Sequence, residues 1–208
     1  MAGVRQFDEA AVMQNALDLF RRKGLAATSM LDLAEATGVH RGSLYNAYGG
    51  KDAIFLIAFE EYAERYCAMI REALDKTDPR AALTDFFEAV IASMCAGSPA
   101  RGCLSTRTAT EADAAGPEVQ ARLRRWLDEI ESTVRAALAA PGLAGRLALP
   151  PQDAAPLIAT FMRGLAVMER VHHDPDRLRE TAASLVRLMT GPESRDSGRA
   201  EGGRGDVS

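Results

Sequence analysis

An all-α fold is predicted, with a small N-terminal three-helix unit followed by a larger C-terminal helical unit. Three observations predict it. Nearly every long segment repeats its apolar residues at helical spacing. The breaks between segments are Gly, Pro, Ser and Asp, and no run alternates apolar and polar residues long enough to make a strand.

The elements follow in order. Residues 8–23 place Ala11, Val12, Ala16, Leu19 and Phe20 on one stripe, and Gly24 ends the run. Thr28 and Ser29 offer N-cap hydroxyls to a second helix, with Asp32 in capping-box position and Thr37 at its end. Gly38 turns the chain into a third helix over 40–47. Lys51 and Asp52 open a long fourth helix through Ile54, Phe55, Ile57, Ala58, Tyr62 and Tyr66 to about Leu74. Asp78-Pro79 is an N-cap with proline at the first helical position. From there helices are expected over 79–96, 102–113, 117–140, 152–173 and 175–190. Gly97-Ser98-Pro99, Gly116-Pro117, Pro141-Gly142, Pro150-Pro151 and Asp174-Pro175 punctuate them. Beyond Gly191 almost no apolar residue remains to bury. The expected division is residues 1–50, residues 51–190 and a disordered tail, 191–208.

Composition narrows the function classes. At 208 residues, 47% hydrophobic and 26% charged, the chain has the make-up of an ordinary soluble protein. The longest apolar candidate, Ile54 to Phe59, is cut off by Glu60 and Glu61, so no membrane partner is expected. Arg5, Asp8 and Glu9 argue against a signal peptide at the N-terminus, and a cytoplasmic location is expected. Cys67, Cys95 and Cys103 are odd in number and lack CxxC spacing, which argues against a disulfide framework and a zinc site. The net charge of -4 does not announce a nucleic-acid partner. If DNA is bound, the basic groups must be sorted onto one face.

The informative stretch is Thr28 to Lys51, TSMLDLAEATGVHRGSLYNAYGGK. A helix-turn-helix needs a small residue at the helix crossing, a residue tolerant of left-handed backbone at the turn, and apolar anchors on both helices. Ala34, Gly38, Val39 and Leu44 meet those needs, with Leu31 and Leu33 completing the first helix's buried face. His40, Arg41, Ser43, Tyr45 and Asn46 are then left on the second helix's surface, the hydrogen-bonding set a major-groove reader requires. From Thr28 through Phe55 the chain resembles the shared N-terminal block of the TetR family of transcriptional regulators. The match is T-S, A-x-x-x-G-V, G-S-L-Y, an aromatic, a Gly-rich corner and Lys51. The resemblance implies that Thr28 and Ser29 at the second helix's N-terminus meet a phosphate. It also implies that Arg41, Ser43, Tyr45 and Asn46 face the groove, with Tyr48 and Lys51 on the flanking backbone. His40 and Arg41 stand where the family commonly has a small hydroxyl and a lysine, which bears on the operator read.

The last two helices carry wide apolar stripes, including Leu157, Phe161, Leu165, Met168, Leu185 and Met189, which hint at a partner helix pair. In the family resembled, these helices form a four-helix bundle across a dimer two-fold, and two reading helices must reach successive major grooves. A homodimer bound to double-stranded operator DNA is therefore expected. The middle helices offer an apolar interior suited to a modest apolar effector, with Phe87, Ile91, Met94, Trp126, Phe161 and Met162 as walls. The segment RGCLSTRTATE, Arg101 to Glu111, resembles a G-C-L-x-x-N-x-x-x-E element of one TetR subgroup, some of whose members sense electrophiles through cysteine. Gly102, Cys103, Leu104 and Glu111 match it, whereas Arg107 replaces the Asn. Cys103 fits two roles: a reactive thiol favoured by Arg101 and a helix N-terminus, or an inert core thiol. Arg107 fits an anchor for an anionic effector. His172 and His173 suit a helix C-terminus, without a third ligand to suggest a metal. No cofactor is expected. No nucleophile elbow, Walker loop, dinucleotide fingerprint or H-E-x-x-H occurs, which argues against an enzyme.

Overall fold

The computed structural model describes residues 8–97, 102–111 and 115–191. Arg101 and the tail beyond Gly191 lie outside the described residues. Those described form α1 (Glu9–Lys23), α2 (Met30–Thr37), α3 (Arg41–Tyr48), α4 (Lys51–Leu74), α5 (Pro79–Cys95), α6 (Leu104–Thr110), α7 (Pro117–Leu138), α8 (Pro151–His172) and α9 (Pro175–Thr190), and no strand. The expected all-α fold with a helix-turn-helix at its N-terminal end is what the chain adopts. No helix among the described residues is long and apolar enough to cross a membrane.

Asp8 caps α1 by accepting from Ala10 N and Ala11 N, and Arg21, Arg22 and Lys23 complement the dipole at the other end. The stripe α1 buries is Val12, Met13, Ala16, Leu17 and Phe20. It is centred slightly off the expected line, so Ala11 is exposed and Leu19 only half-buried. Phe20 sets that orientation by meeting Phe55 of α4 edge-on, with ring centroids 5.2 Å apart. On α2, Ser29 and Asp32 form the expected capping box. Gly38 then takes a left-handed φ of 69°, which costs a residue with a Cβ roughly 1–2 kcal/mol. Leu33 and Leu44 are fully buried and lock α2 to α3. Leu31 departs from expectation: α2 buries Met30 and Leu33, which leaves Leu31 on the outer side, 58% exposed.

α4 runs unbroken from the head into the larger unit. Phe55, Phe59, Tyr62 and Tyr66 recur along one side and stack on each other, and the last three meet Trp126 of α7. Each such pair contributes about 0.5–1.5 kcal/mol beyond its buried area. Buried Arg122 on α7 adds a polar tie, donating to Glu60 Oε1 and Oε2 at 2.6 and 2.8 Å with its guanidinium over the Phe59 ring. α5, capped by Asp78, packs against α4, α8 and α9, while α7 lies between α4 and α8. The core passes without a break from α1 to α9.

Candidate nucleic-acid interface and sensor core

Leu44 and Val39 point inward and hold α3 against the head. This leaves His40, Arg41, Ser43, Tyr45 and Asn46 exposed on one side, with Ser29 exposed at the start of α2. The Arg41 guanidinium lies 5.8 Å over the Tyr45 ring, so one exposed side chain steadies the other. His40, the α3 N-cap, makes no side-chain capping bond and its ring is free to reach outward.

Thr28, Tyr48 and Lys51 are engaged within the fold. Thr28 is buried and its Oγ1 donates to Gly24 O at 2.5 Å. Tyr48 is buried against the head and its hydroxyl donates to Glu9 Oε1 at 3.4 Å. Lys51 Nζ donates to Leu25 O at 2.9 Å and Thr28 O at 3.0 Å. The α1–α2 loop leaves these carbonyls without helical partners at the start of α4, and an ammonium with three donors satisfies them.

The expected effector walls are packed core. Phe87, Ile91, Met94, Trp126 and Met162 are buried, and half-buried Phe161 meets Phe87 edge-on at 5.5 Å. Cavities of about 560 and 680 Å³ lie elsewhere, in the outer groove between α4 and α7 beside Arg71, Ser132 and Thr133. A smaller one of about 250 Å³ lies where α1, α4 and α5 meet. None of the eight expected effector residues walls these three cavities. The residues expected at a dimer interface divide too. Leu157 and Met168 are 45% and 48% exposed, and Phe161 and Leu185 are half-buried. Leu165 and Met189 instead fill the chain's own core, because the inner sides of α8 and α9 close against α7 and α5. Val171 and Leu188, at 66% and 76% exposure, extend the outer apolar face and were not anticipated.

Cys103 is the buried N-cap of α6, wrapped in polar groups. Its Sγ lies 3.3 Å from Ser105 Oγ, accepts from Thr106 Oγ1 at 3.3 Å, and has Arg163 Nη1 of α8 at 3.6 Å. Burial pushes the thiol up, but the Arg163 charge and the two hydroxyls bring it below its ordinary value. Cys95 goes the other way, raised by burial and the Glu169 charge. The cation beside Cys103 is thus supplied by Arg163, far along the chain, where no local spacing could reveal it.

Arg107, expected as an anchor for an anionic effector, is engaged within the fold. Its Nη1 and Nη2 donate to Arg22 O at 2.8 Å and Lys23 O at 2.7 Å, the free carbonyls ending α1. Its Nε meets Glu111 Oε1 at 3.1 Å, and Glu111 Oε2 accepts from Ala26 N. Arg21 makes a matching tie in reverse, its Nη2 donating to Ser93 O and Gly102 O at 2.9 and 3.0 Å. The segment around Cys103 is therefore fastened to the helix that leads into the helix-turn-helix. Arg21 escaped the sequence reading, although a charge four residues after Leu17 on an apolar stripe was its signal.

His173 ends α8 in a left-handed conformation at φ 50°, 71% exposed, with Nδ1 3.6 Å from Glu169. Among the described residues no group of His, Cys, Asp and Glu is arranged to hold a metal.

Known proteins bear on this geometry. Residues 12–57 match the model of bacterial regulatory proteins of the tetR family, and residues 79–185 match the tetracyclin repressor-like C-terminal domain. The HTH-type transcriptional repressor ComR of Escherichia coli is 25% identical over 188 residues, 88% of this chain and 89% of that protein. The HTH-type regulator YezE of Bacillus subtilis is 30% identical over 128 residues, 61% of this chain and 66% of that one. Among solved structures, a cysteine mutant of the TetR-family regulator CifR complexed with 26-base-pair operator DNA superposes with a TM-score of 0.76. It is 25% identical and covers 89% of this chain and 98% of its own.

Proposed function

This chain belongs to the TetR family of bacterial regulatory proteins and is a transcriptional regulator, and from that premise we propose that it is a homodimeric repressor which an effector releases from its operator. Residues 1–50 form the reading head and 51–190 the sensing and dimerising unit. The observation that carries the reading is the outward set Arg41, Ser43, Tyr45 and Asn46 on an α3 anchored by Leu44. Such side chains reach base edges in a major groove, while Ser29 and the α2 N-terminus suit a phosphate. The cysteine mutant of CifR is held on operator DNA by the same fold, and ComR is named a repressor.

Dimerisation uses the outer apolar face of α8 and α9, with Leu157, Phe161, Met168 and Leu185 at its centre. A monomer that left this face in water would be an aggregation hazard. The effector is a small apolar or electrophilic molecule. Cys103 is its reactive partner, supported by the Arg163 charge and the two hydroxyls around the sulfur. Its reaction changes the packing of α6, and the ties from Arg107 and Glu111 to α1 pass that change to the head. Release follows as a population shift, since an effector that binds the DNA-free spacing of the heads better than the bound one must lower DNA affinity.

The test is a mobility shift with DNA flanking the protein's own coding region, backed by selection from genomic fragments. A two-half-site complex that survives unrelated competitor, and is lost on adding N-ethylmaleimide to wild type but not to Cys103→Ser, supports the reading. Selection that enriches no sequence overturns the operator assignment, and equal loss in Cys103→Ser overturns the thiol's role.

A further inference from the structure

The cavity of about 250 Å³ where α1, α4 and α5 meet has an unusual wall. Three of its polar residues are more than nine-tenths buried: Arg21, Tyr62 and Tyr66, exposed by 8%, 6% and 7%. The Tyr62 and Tyr66 side chains are buried, yet their hydroxyls, of the kind that ordinarily finds a partner, make no hydrogen bond among the described residues and remain available to an occupant of the cavity they line. Arg21 commits only Nη2, to Ser93 O and Gly102 O, and its buried Nε has no partner. Its guanidinium lies 5.7 Å over the Tyr62 ring, which fixes it against the cavity floor.

The charge is one-sided. Arg21 and Arg65 both wall the cavity, and among the described residues no Asp or Glu does. Glu61 meets Arg65 only from outside the wall, at 3.4 Å. Burial keeps both phenols protonated far above neutrality, so they act there as donors. Leu17, Met69 and the aromatic faces supply the apolar remainder. The space is smaller than the roughly 300–1,000 Å³ of a site for drug-sized ligands, which limits the occupant to a compact molecule.

We propose that this cavity binds a small organic carboxylate, its oxyanion received by Arg21, Tyr62 and Tyr66 and its body lying against Leu17 and Met69. Charge-assisted hydrogen bonds from a guanidinium and two phenols suit a carboxylate, and no carboxylate among the described residues lines the wall to suit a cation. The occupant touches α1 of the reading head and α4 and α5 of the sensing unit at once. Its affinity therefore differs between two orientations of the head, as an effector's must. This site is separate from Cys103 and needs no covalent step.

The single tryptophan, Trp126, stacks within 6.0 Å of Tyr62 and 5.7 Å of Tyr66, so its emission reports on the site. The full chain is titrated with benzoate, phenylacetate and hexanoate at constant ionic strength, with benzamide as the uncharged isostere. At least one acid is expected to change the emission saturably while benzamide does not. Tyr62→Phe and Tyr66→Phe keep the rings, and each is expected to weaken that acid about tenfold. Circular dichroism confirms that both variants fold. No saturable change with any of the three acids, an equal response to benzamide, or unchanged affinity in the folded double Phe variant overturns the proposal. The titration contains no DNA, so its outcome is independent of the operator reading.

Discussion

Arg107 of α6 and Glu111, which caps that helix's C-terminus, meet at 3.1 Å and close together over Gly24, where α1 ends. A Cβ on Gly24 would sit 2.3 Å from Glu111 Oε1, at a φ of +87° that side chains rarely adopt. Arg107→Met removes the donors from two carbonyls at the α1 terminus and the partner of Glu111. The expected loss is about 2 kcal/mol of stability in urea unfolding. Gly24→Ala should lose about 1–3 kcal/mol, through backbone strain and displacement of the same pair. An unchanged unfolding midpoint in Arg107→Met would mean that the tie between α6 and the reading head is idle.

On the reading face, Arg41→Ala and Asn46→Ala are each expected to weaken operator binding about 10- to 100-fold and to relax the base preference at one position. Tyr45→Ala should cost affinity directly and also free the Arg41 guanidinium that lies over its ring. None of the three should move the thermal midpoint by more than a degree or two, since all are exposed. Leu44→Ala is the contrasting control: a fully buried anchor, expected to cost about 2–5 kcal/mol of stability before any DNA effect is measured. Arg41→Ala that keeps full affinity for a selected operator would remove α3 from the groove.

The fold was legible because its signals are local. Ser29 and Asp32, Gly38, Asp78-Pro79 and the apolar repeats each act within one or two turns, and the elements lie where helical spacing placed them, although Ala11 and Leu31 fall outside the faces their helices bury. The exposed residues of α3 were legible for the same reason, as what remains when Leu44 and Val39 are buried. The sites between elements were not. Arg163 reaches Cys103 across 60 residues, and Arg107 reaches Lys23 across 84. No pattern within one helix fixes which distant carbonyl or sulfur an arginine will meet. Lys51 shows the limit most plainly: its place at the start of α4 was correct, but the carbonyls of the α1–α2 loop that occupy it belong to another turn of chain. Leu165 and Met189 show the same limit in apolar form, since a stripe wide enough for two neighbours does not say which residues face which.

The outer face of α8 and α9 makes a prediction about assembly. Leu188 and Val171 are 76% and 66% exposed in one chain and contribute nothing to its own core. Leu188→Asp and Met168→Glu are expected to convert a dimer to monomers in sedimentation experiments at micromolar concentration while leaving the helical circular dichroism intact. Each places a charge where an apolar partner would have to desolvate it. Loss of operator affinity should accompany the monomer, because one head reaches only one half-site. A dimer that persists in the double variant would place the two-fold on another face.

The last prediction concerns pH and the thiol at α6. In a Cys67→Ser, Cys95→Ser background, the alkylation rate of Cys103 by iodoacetamide should titrate below the ordinary thiol value of 9.0. Burial works against this shift, and Arg163 with the Ser105 and Thr106 hydroxyls overcomes it. Arg163→Met should therefore move the midpoint upward, and Ser105→Ala should move it upward by less. Stability must follow the same linkage. A thiol whose pKa is lower folded than unfolded stabilises the fold when ionised. That contribution is present in full above the unfolded pKa and is lost as pH falls through the folded one. The stability advantage over Cys103→Ser is accordingly expected to grow as pH rises through the folded value and to level off above the unfolded value. Unfolding midpoints measured between pH 6 and 10 decide it: a gap that is flat or shrinks with rising pH would mean that Cys103 stays a neutral core thiol and that Arg163 serves only the Ser105 and Thr106 hydroxyls.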